Sequence, residues 1–486
     1  MAMDDPKKFL EEAAALLGPR GLTRDAELMA PWLTDWRERF TGRALAMASP
    51  ASTHELSALI KLCGRHGVAV VPQGGNSSMS GGATPDASGK TLLLSLRRMN
   101  SIRGLDAEAR QVTCEAGVIL QTLHEAAQAQ GLRFPLTLGG KGSATIGGLV
   151  STNAGGNQVL RHGTMRSLVL GLEAVLADGS IYSALTPLKK DNRGFDLKQL
   201  LIGSEGTLGV VTAATLRLLP GIADRAVIWA GVPSLHTARA LLLHCEDAVG
   251  EALEGFEVVP RASLERVLDF LPDARAPLAD SHAWHVVIEV VADRTAAADL
   301  GARVEAMLAS AFEAGLVEDA TIAASEAQAE AFWQLRESVA PSERAQGIAV
   351  QHDISVPVER MPDFVEQAVP AIEAAFPGTE AIAFGHLGDG NVHFHVIAPK
   401  GVAEEMGRAA WETSTGKAIS AQVYDLVTRW GGSISAEHGI GQAKRDELAR
   451  LGDPVALAML ANVKHALDPA GLLNPGKLLA PSAPIA

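Results

Sequence analysis

At 486 residues the chain is too long for a single core, so two or three domains are expected, each large enough to bury its own apolar interior. A formal charge of −14 argues against nucleic acid as a partner, because no basic surface stands ready to neutralise phosphates. The three cysteines form no CxxC pair, which excludes a disulfide framework, an iron–sulfur cluster and a CxxCH haem, and they read as buried thiols in a reducing, cytoplasmic setting.

The segment MAMDDPKKFLEEAAALLG has neither a basic n-region nor a continuous apolar run, so a surface helix is expected rather than a secretory signal. No window approaches a membrane span. Strand-like GVAVVP then leads into PQGGNSSMSGG, where Gly74 and Gly75 expose backbone amides and Asn76, Ser77 and Ser78 add donors, a nest suited to a pyrophosphate. A surface turn is the competing reading of that loop alone. The GxGxxG pattern of a dinucleotide fold is absent.

Next comes GGKGSATIGGLVSTNAGG, seven glycines in eighteen residues, preceded by FPLTL, which reads as strand-like, and followed by a hairpin-like strand pair. A third run, IGSEGTLGVVT, follows DLKQLLI, also strand-like, and opens a β-branched strand. Such density fits close backbone approach to a large flat ligand better than turn chemistry. Three loops imply one long cofactor.

After Pro220 the glycine runs stop and strands alternate with helices: HVVIEVVA near 285, a helical stretch near 323–340 and a helix from about Val358. In FGHLGDGNVHFHV the GDG turn and strict alternation suggest a hairpin, with His393 and His395 on one face and His386 on the facing arm. Glu437 and His438 follow in SAEHGIG. Any of these histidines taken singly is more simply a partly buried side chain. Together, His386, His393 and Glu437 offer two imidazoles and a carboxylate to a divalent first-row metal, with His395 left as a structural neighbour. An imidazole beside such an ion could take a hydroxyl proton near neutral pH, a task that falls to His438.

From Ala44 to Pro220 the chain resembles the vanillyl-alcohol oxidase (PCMH) type of FAD-binding domain, on PQGGNSSMSGG, KGSATIGGLVSTNAGG and GSEGTLGVVT. The histidine segments and GLLNPGKLL resemble the C-terminal domain of FAD-linked oxidases, in the D-2-hydroxyglutarate and D-lactate dehydrogenase branch. The resemblance implies an α+β fold: an N-terminal helical segment (1–43), a two-part FAD-binding domain (44–220), an α+β substrate or cap domain (221–430) and a helical C-terminal segment (431–486) that returns to the FAD domain. It implies FAD contacts at Gly74, Gly75, Asn76, Ser77, Ser78, Pro135, Gly139, Ser143, Gly147, Gly148, Asn153, Gly206, Val210 and Asn474. The flavin is expected to be non-covalent, since Gly74–Ser80 contains no His or Cys.

For the second half the resemblance implies zinc on His386, His393 and Glu437, His438 as base, and substrate contacts from Arg336, Asn391 and His438. Arg336, in FWQLRESVAP, would grip a carboxylate as a bidentate guanidinium; a surface arginine paired with Glu337 is the alternative. Ala340 and Gln351 stand where hydroxyglutarate enzymes carry a threonine-like residue and a lysine, with Arg344 a possible substitute. The implied reaction is oxidation of a D-2-hydroxy acid, foremost D-2-hydroxyglutarate, with D-lactate, D-malate or glycolate as competitors. The implied partners are an external acceptor (electron-transfer flavoprotein or quinone) and a second copy in a homodimer. A different class, the non-redox FAD-dependent transferase of the alkyl-dihydroxyacetonephosphate synthase type, fits less well, because no segment suits a long acyl chain.

Overall fold

The computed structural model describes residues 5–480 except 189 and 295, and leaves the side chains of 403 and 404 aside. The chain forms two compact units. One comprises the residues up to Gly156, His162–Pro220 and everything from Glu437 onward; the other comprises Asn157–Arg161 and Gly221–Ala436.

The first unit opens on helix Pro6–Leu17, started by an Asp5 cap and a proline in its first turn, with Phe9, Leu10, Ala13 and Leu17 on its buried face. It holds two main sheets. The four-stranded one runs β1 (Leu22–Thr23), β2 (Ala46–Ala48), β4 (Leu92–Ser95), β3 (Val70–Gln73), with β4 parallel to both β2 and β3. Both of its inner strands are buried without alternation, as strands covered on two faces must be. The five-stranded antiparallel sheet has the order β5 (Ile102–Asp106), β6 (Gln111–Glu115), β10 (Val210–Arg217), β8 (Val169–Val175), β9 (Ile181–Ala184). A short pair joins β7 (Leu132–Arg133) to β11 (Leu219–Pro220).

Two expected strands are absent. FPLTL does not pair, because Pro135 lacks an N–H and restricts the residue before it, so pairing stops at Arg133. DLKQLLI instead contains the helix Lys198–Leu201, in keeping with its unbranched, helix-favouring residues.

The second unit is built on one antiparallel sheet ordered β15 (Asp319–Ile322), β12 (Asp224–Val232), β14 (Trp284–Ala292), β13 (Leu253–Pro260), β17 (Glu380–His386), β18 (Asn391–Ile397), β16 (Ala349–Ser355). Trp229, Val259, Val287, Ile382 and Phe384 cluster with Phe332, Trp333 and Leu335 of helix Glu326–Glu337. This is the sheet face that carries the polar residues described next. No helix among the described residues is long and apolar enough to cross a membrane, and all three cysteines are free and buried.

Candidate active site

In the first unit the first two glycine loops meet at Thr145. A Cβ on Gly74 would lie 2.2 Å from Thr145 Oγ1, and one on Gly75 would lie 1.7 Å from the Ser143 carbonyl oxygen, so neither position admits a side chain. A Cβ on Gly148 would sit 3.4 Å from the same hydroxyl. Thr145 Oγ1 is buried with no hydrogen-bond partner among the described residues. An unsatisfied hydroxyl ringed by glycine backbone fits the phosphate portion of a cofactor.

Other residues expected at the cofactor have structural duties. Asn76 donates to the carbonyls of Pro31 and Thr34. Asn153 ends helix Ile146–Thr152 at φ 50°, and its Oδ1 accepts from the Thr164 hydroxyl and the Arg166 amide. Gly147 packs so tightly that a Cβ would come within 2.6 Å of Ala116 Cβ. Asn474 Nδ2 donates to the carbonyls of Gly82 and Glu205, while its Oδ1 is buried without a partner. Gly206 packs on Pro72, and Val210 is buried at the start of β10. Ser77 and Ser78 lie half-buried in the first loop, Pro135 is buried, and Gly139 and Ser143 are exposed.

A third segment of the first unit reaches this loop from the C-terminal end of the chain. The Ser80 hydroxyl donates to the carbonyls of His438 (2.9 Å) and Gly439 (3.0 Å). Glu205, buried in the third glycine run, accepts the amides of Ile440 and Gly441, each at 2.7 Å. Burial pushes the Glu205 carboxyl above its ordinary range, against the pull of those amides and of Lys444 and Lys477. Gly441 adopts φ +54°, and a Cβ there would meet the Ser80 carbonyl oxygen at 2.1 Å. The backbone of His438 is thereby tied to the glycine loop that carries Gly74–Ser78.

In the second unit, strand register gathers the polar residues. His386 faces Asn391, Phe384 faces His393 and Ile382 faces His395 across β17 and β18; Asp353 faces His393 and Gln351 faces His395 across β16 and β18. The His386 and His393 rings lie 5.5 Å apart, centroid to centroid. Glu257 of β13 stands directly across from His386. Its carboxylate lies 2.5 Å from His386 Nδ1 and 2.8 Å from both Nε and one terminal nitrogen of Arg336.

Helix Glu326–Glu337 starts on a Ser325 cap and buries Ala329, Phe332, Trp333 and Arg336, a helical stripe that turns Arg336 inward. Arg336 is therefore not a surface residue paired with Glu337. It is buried, paired with Glu257, and its guanidinium lies 5.0 Å from the centre of the Phe384 ring. Burial alone would raise the Glu257 pKa; Arg336 and then His386 override it and hold the carboxyl well below its usual range. Burial, with the charges of Arg336 and His386, pushes His393 well below its ordinary value, which keeps its lone pair available.

Asn391 Nδ2 donates to Asp353 Oδ1 (3.0 Å) and to the Ile354 carbonyl (2.9 Å), leaving Oδ1 buried without a partner. His395 pairs with the fully buried Glu343, and Gln351 Nε2 is buried without a partner. Arg344 is exposed and Ala340 half-buried. The Ala436 amide bonds the Asp353 carbonyl at 3.4 Å, which fixes the residue immediately before Glu437. Glu257, Glu205, Thr145 and Glu343 were not expected from sequence; the signal for Glu257 was a charge inside the apolar strand LEGFEVVP.

The FAD binding domain family matches residues 44–184, and the C-terminal domain family of FAD linked oxidases matches residues 223–478. The chain belongs to the FAD-linked oxidases. It is 37% identical over 98% of its length to D-2-hydroxyglutarate dehydrogenase of Xanthomonas citri pv. viticola, covering 97% of that protein. It is 35% identical over 96% to the mitochondrial D-2-hydroxyglutarate dehydrogenase of Arabidopsis thaliana, covering 80%, and 36% identical over 95% to that of Bos taurus, covering 81%. Among solved structures, p-cresol methylhydroxylase matches with a TM-score of 0.72 at 14% identity, covering 97% of this chain and 96% of that one. An alkyldihydroxyacetonephosphate synthase matches at 0.73 and 15%, covering 98% and 87%. At such identities the likeness is one of fold, the PCMH type. This FAD-linked oxidoreductase thus combines glycine loops that suit FAD with a buried histidine–carboxylate group in its C-terminal half.

Proposed function

We propose that this FAD-linked oxidoreductase oxidises a D-2-hydroxy acid, foremost D-2-hydroxyglutarate, to the 2-oxo acid, with His438 accepting the hydroxyl proton. The observation that carries the reading is the pair of bonds from Ser80 to the carbonyls of His438 and Gly439, which fasten the imidazole-bearing segment to the cofactor loop. The relatives named D-2-hydroxyglutarate dehydrogenase supply the substrate class.

Loss of the hydroxyl proton to an imidazole raises electron density at the carbinol carbon and frees its hydrogen to leave as hydride. FAD supplies the two-electron acceptor, and a divalent cation, read as zinc, supplies a Lewis acid for the substrate's oxygens. His386, His393 and Glu437 would hold that cation. Two observations support this donor set: the Glu257 carboxylate lies 2.5 Å from His386 Nδ1, which leaves Nε2 as the ring nitrogen able to ligate; and Ala436, bonded to Asp353, sits next to Glu437 in the chain.

Arg336 orients the substrate carboxylate, and the unpartnered Oδ1 of Asn391 offers an acceptor to the substrate's hydroxyl. Gln351 replaces a charge with a neutral buried donor for the distal end of the substrate. The electrons leave to an external acceptor, electron-transfer flavoprotein or a quinone. Anaerobic mixing of the purified holoenzyme with D-2-hydroxyglutarate should bleach the flavin, and the L-enantiomer should not. Bleaching only by D-lactate, D-malate or glycolate would reassign the substrate, and no bleaching by any D-2-hydroxy acid would overturn the reading. Removal of bound metal with a chelator should abolish bleaching, and added zinc should restore it.

A further inference from the structure

We infer that Glu257 is a positioning residue that serves metal and substrate at once: one carboxylate oxygen orients the His386 imidazole for ligation, and the other holds the Arg336 guanidinium in place for the substrate carboxylate. This rests on the proposed roles of His386 and Arg336.

Glu257 is only 1% exposed, in a strand whose neighbours are apolar, so its negative charge has no solvent to stabilise it. A buried carboxylate persists only where partners occupy its oxygens, and here the two oxygens have different ones. Oε1 faces Nδ1 of His386, directly across the strand pair. Oε2 accepts from both Nε and a terminal nitrogen of Arg336.

The first contact fixes a tautomer. Oε1 lies 2.5 Å from Nδ1 as an ion-pair contact without an aligned hydrogen bond, and in the neutral imidazole that ligation requires, a carboxylate there keeps the proton on Nδ1 and the lone pair on Nε2, the atom able to ligate. The second contact fixes a plane. With its Nε edge engaged and the Phe384 ring beside it, the guanidinium directs its remaining N–H groups away from Glu257. One anion therefore sets the geometry of two groups that come from distant parts of the chain. Simple charge neutralisation of Arg336 would need neither the His386 contact nor its cross-strand placement.

The test compares wild-type, Glu257→Gln and Glu257→Asp as FAD-loaded holoenzymes. Zinc dissociation constants are read by competition with a chromophoric chelator, and kcat and KM for D-2-hydroxyglutarate are read at saturating zinc. Glu257→Gln should bind zinc about 10- to 100-fold more weakly. With zinc saturating, KM should still be raised several-fold, because Arg336 has lost its anchor. Glu257→Asp, which keeps the charge on a shorter arm, should recover part of the zinc affinity. A folded, flavin-bearing Glu257→Gln enzyme with wild-type zinc affinity or wild-type KM overturns the inference while leaving the proposed reaction standing. If Glu257→Gln does not retain FAD, Glu257→Asp decides, and wild-type zinc affinity there overturns it equally. Failure of the wild-type enzyme to bind zinc would remove the metal reading itself, and this inference with it.

Discussion

Single side chains in this protein often show their protonation state through their partners. The Trp229 indole N–H donates to His285 Nδ1 at 3.1 Å, which requires that nitrogen to be unprotonated. Burial first, then the charges of His282 and Arg261, push the His285 pKa down to about 4. An unfolded chain binds a proton near pH 6.5 and the folded one does not, so stability from this group is complete above pH 6.5 and is lost as pH falls from 6.5 toward 4. The full loss is roughly 3 kcal/mol. His285→Asn keeps an acceptor for Trp229 but cannot titrate. Urea denaturation at pH 7 and pH 4.5 should show the variant losing less stability on acidification than the wild type, and an equal loss would rule this account out.

At the scale of elements, the loop after Ala436 is held by contacts that tolerate little change. Gly441→Ala combines a left-handed φ with an approach to the Ser80 carbonyl, so it should cost at least about 1–2 kcal/mol. Because Ser80 also holds the His438 carbonyl, the rate of flavin reduction should fall along with the urea midpoint. A lowered midpoint with an unchanged rate would separate the loop's stability from its role at the site.

Elements also mark where sequence reasoning succeeded and where it stopped. The hairpin carrying His386, His393 and His395 was legible because turn residues and period-two alternation are local signals. The two misread strands failed on local competition, from a proline in one and helix-favouring leucines in the other. Glu257, Thr145 and Glu205 were illegible for another reason: each owes its importance to partners far away in the chain. A buried charge in LEGFEVVP can be noticed, but nothing in those eight residues names Arg336 or His386. The alternative that put Arg336 on the surface beside Glu337 failed for the same reason, since its carboxylate partner within the chain, Glu257, could be found only once the sheet was ordered.

At the scale of the whole molecule, the first unit depends on the last residues described. Leu473 bridges to Val70, the Asn474 amide bonds the Val70 carbonyl, and Lys464 donates to the carbonyls of Thr207 and Leu473. Leu472 and Leu473 belong to the same buried cluster as Leu56, Leu92 and Val210. A chain ended after Leu467 leaves that cluster open and Gly82 and Glu205 without Asn474. It should lose bound flavin, measured as the ratio of absorbance at 450 nm to that at 280 nm, and expose enough apolar surface to aggregate. Full retention of flavin by the truncated protein would contradict this dependence.

The same late closure sets an order of events during synthesis. Residues up to Pro220 leave the ribosome long before Leu472 and Leu473 exist, and at ordinary elongation rates the interval is on the order of 10–50 s. Through that time the nascent β3–β4 region has an uncovered side, while most of the second unit, an almost continuous stretch of chain, can mature on its own. The half that receives FAD is thus begun first and finished last. A cell making this enzyme must shelter the residues up to Pro220 until Leu472 and Leu473 have been made.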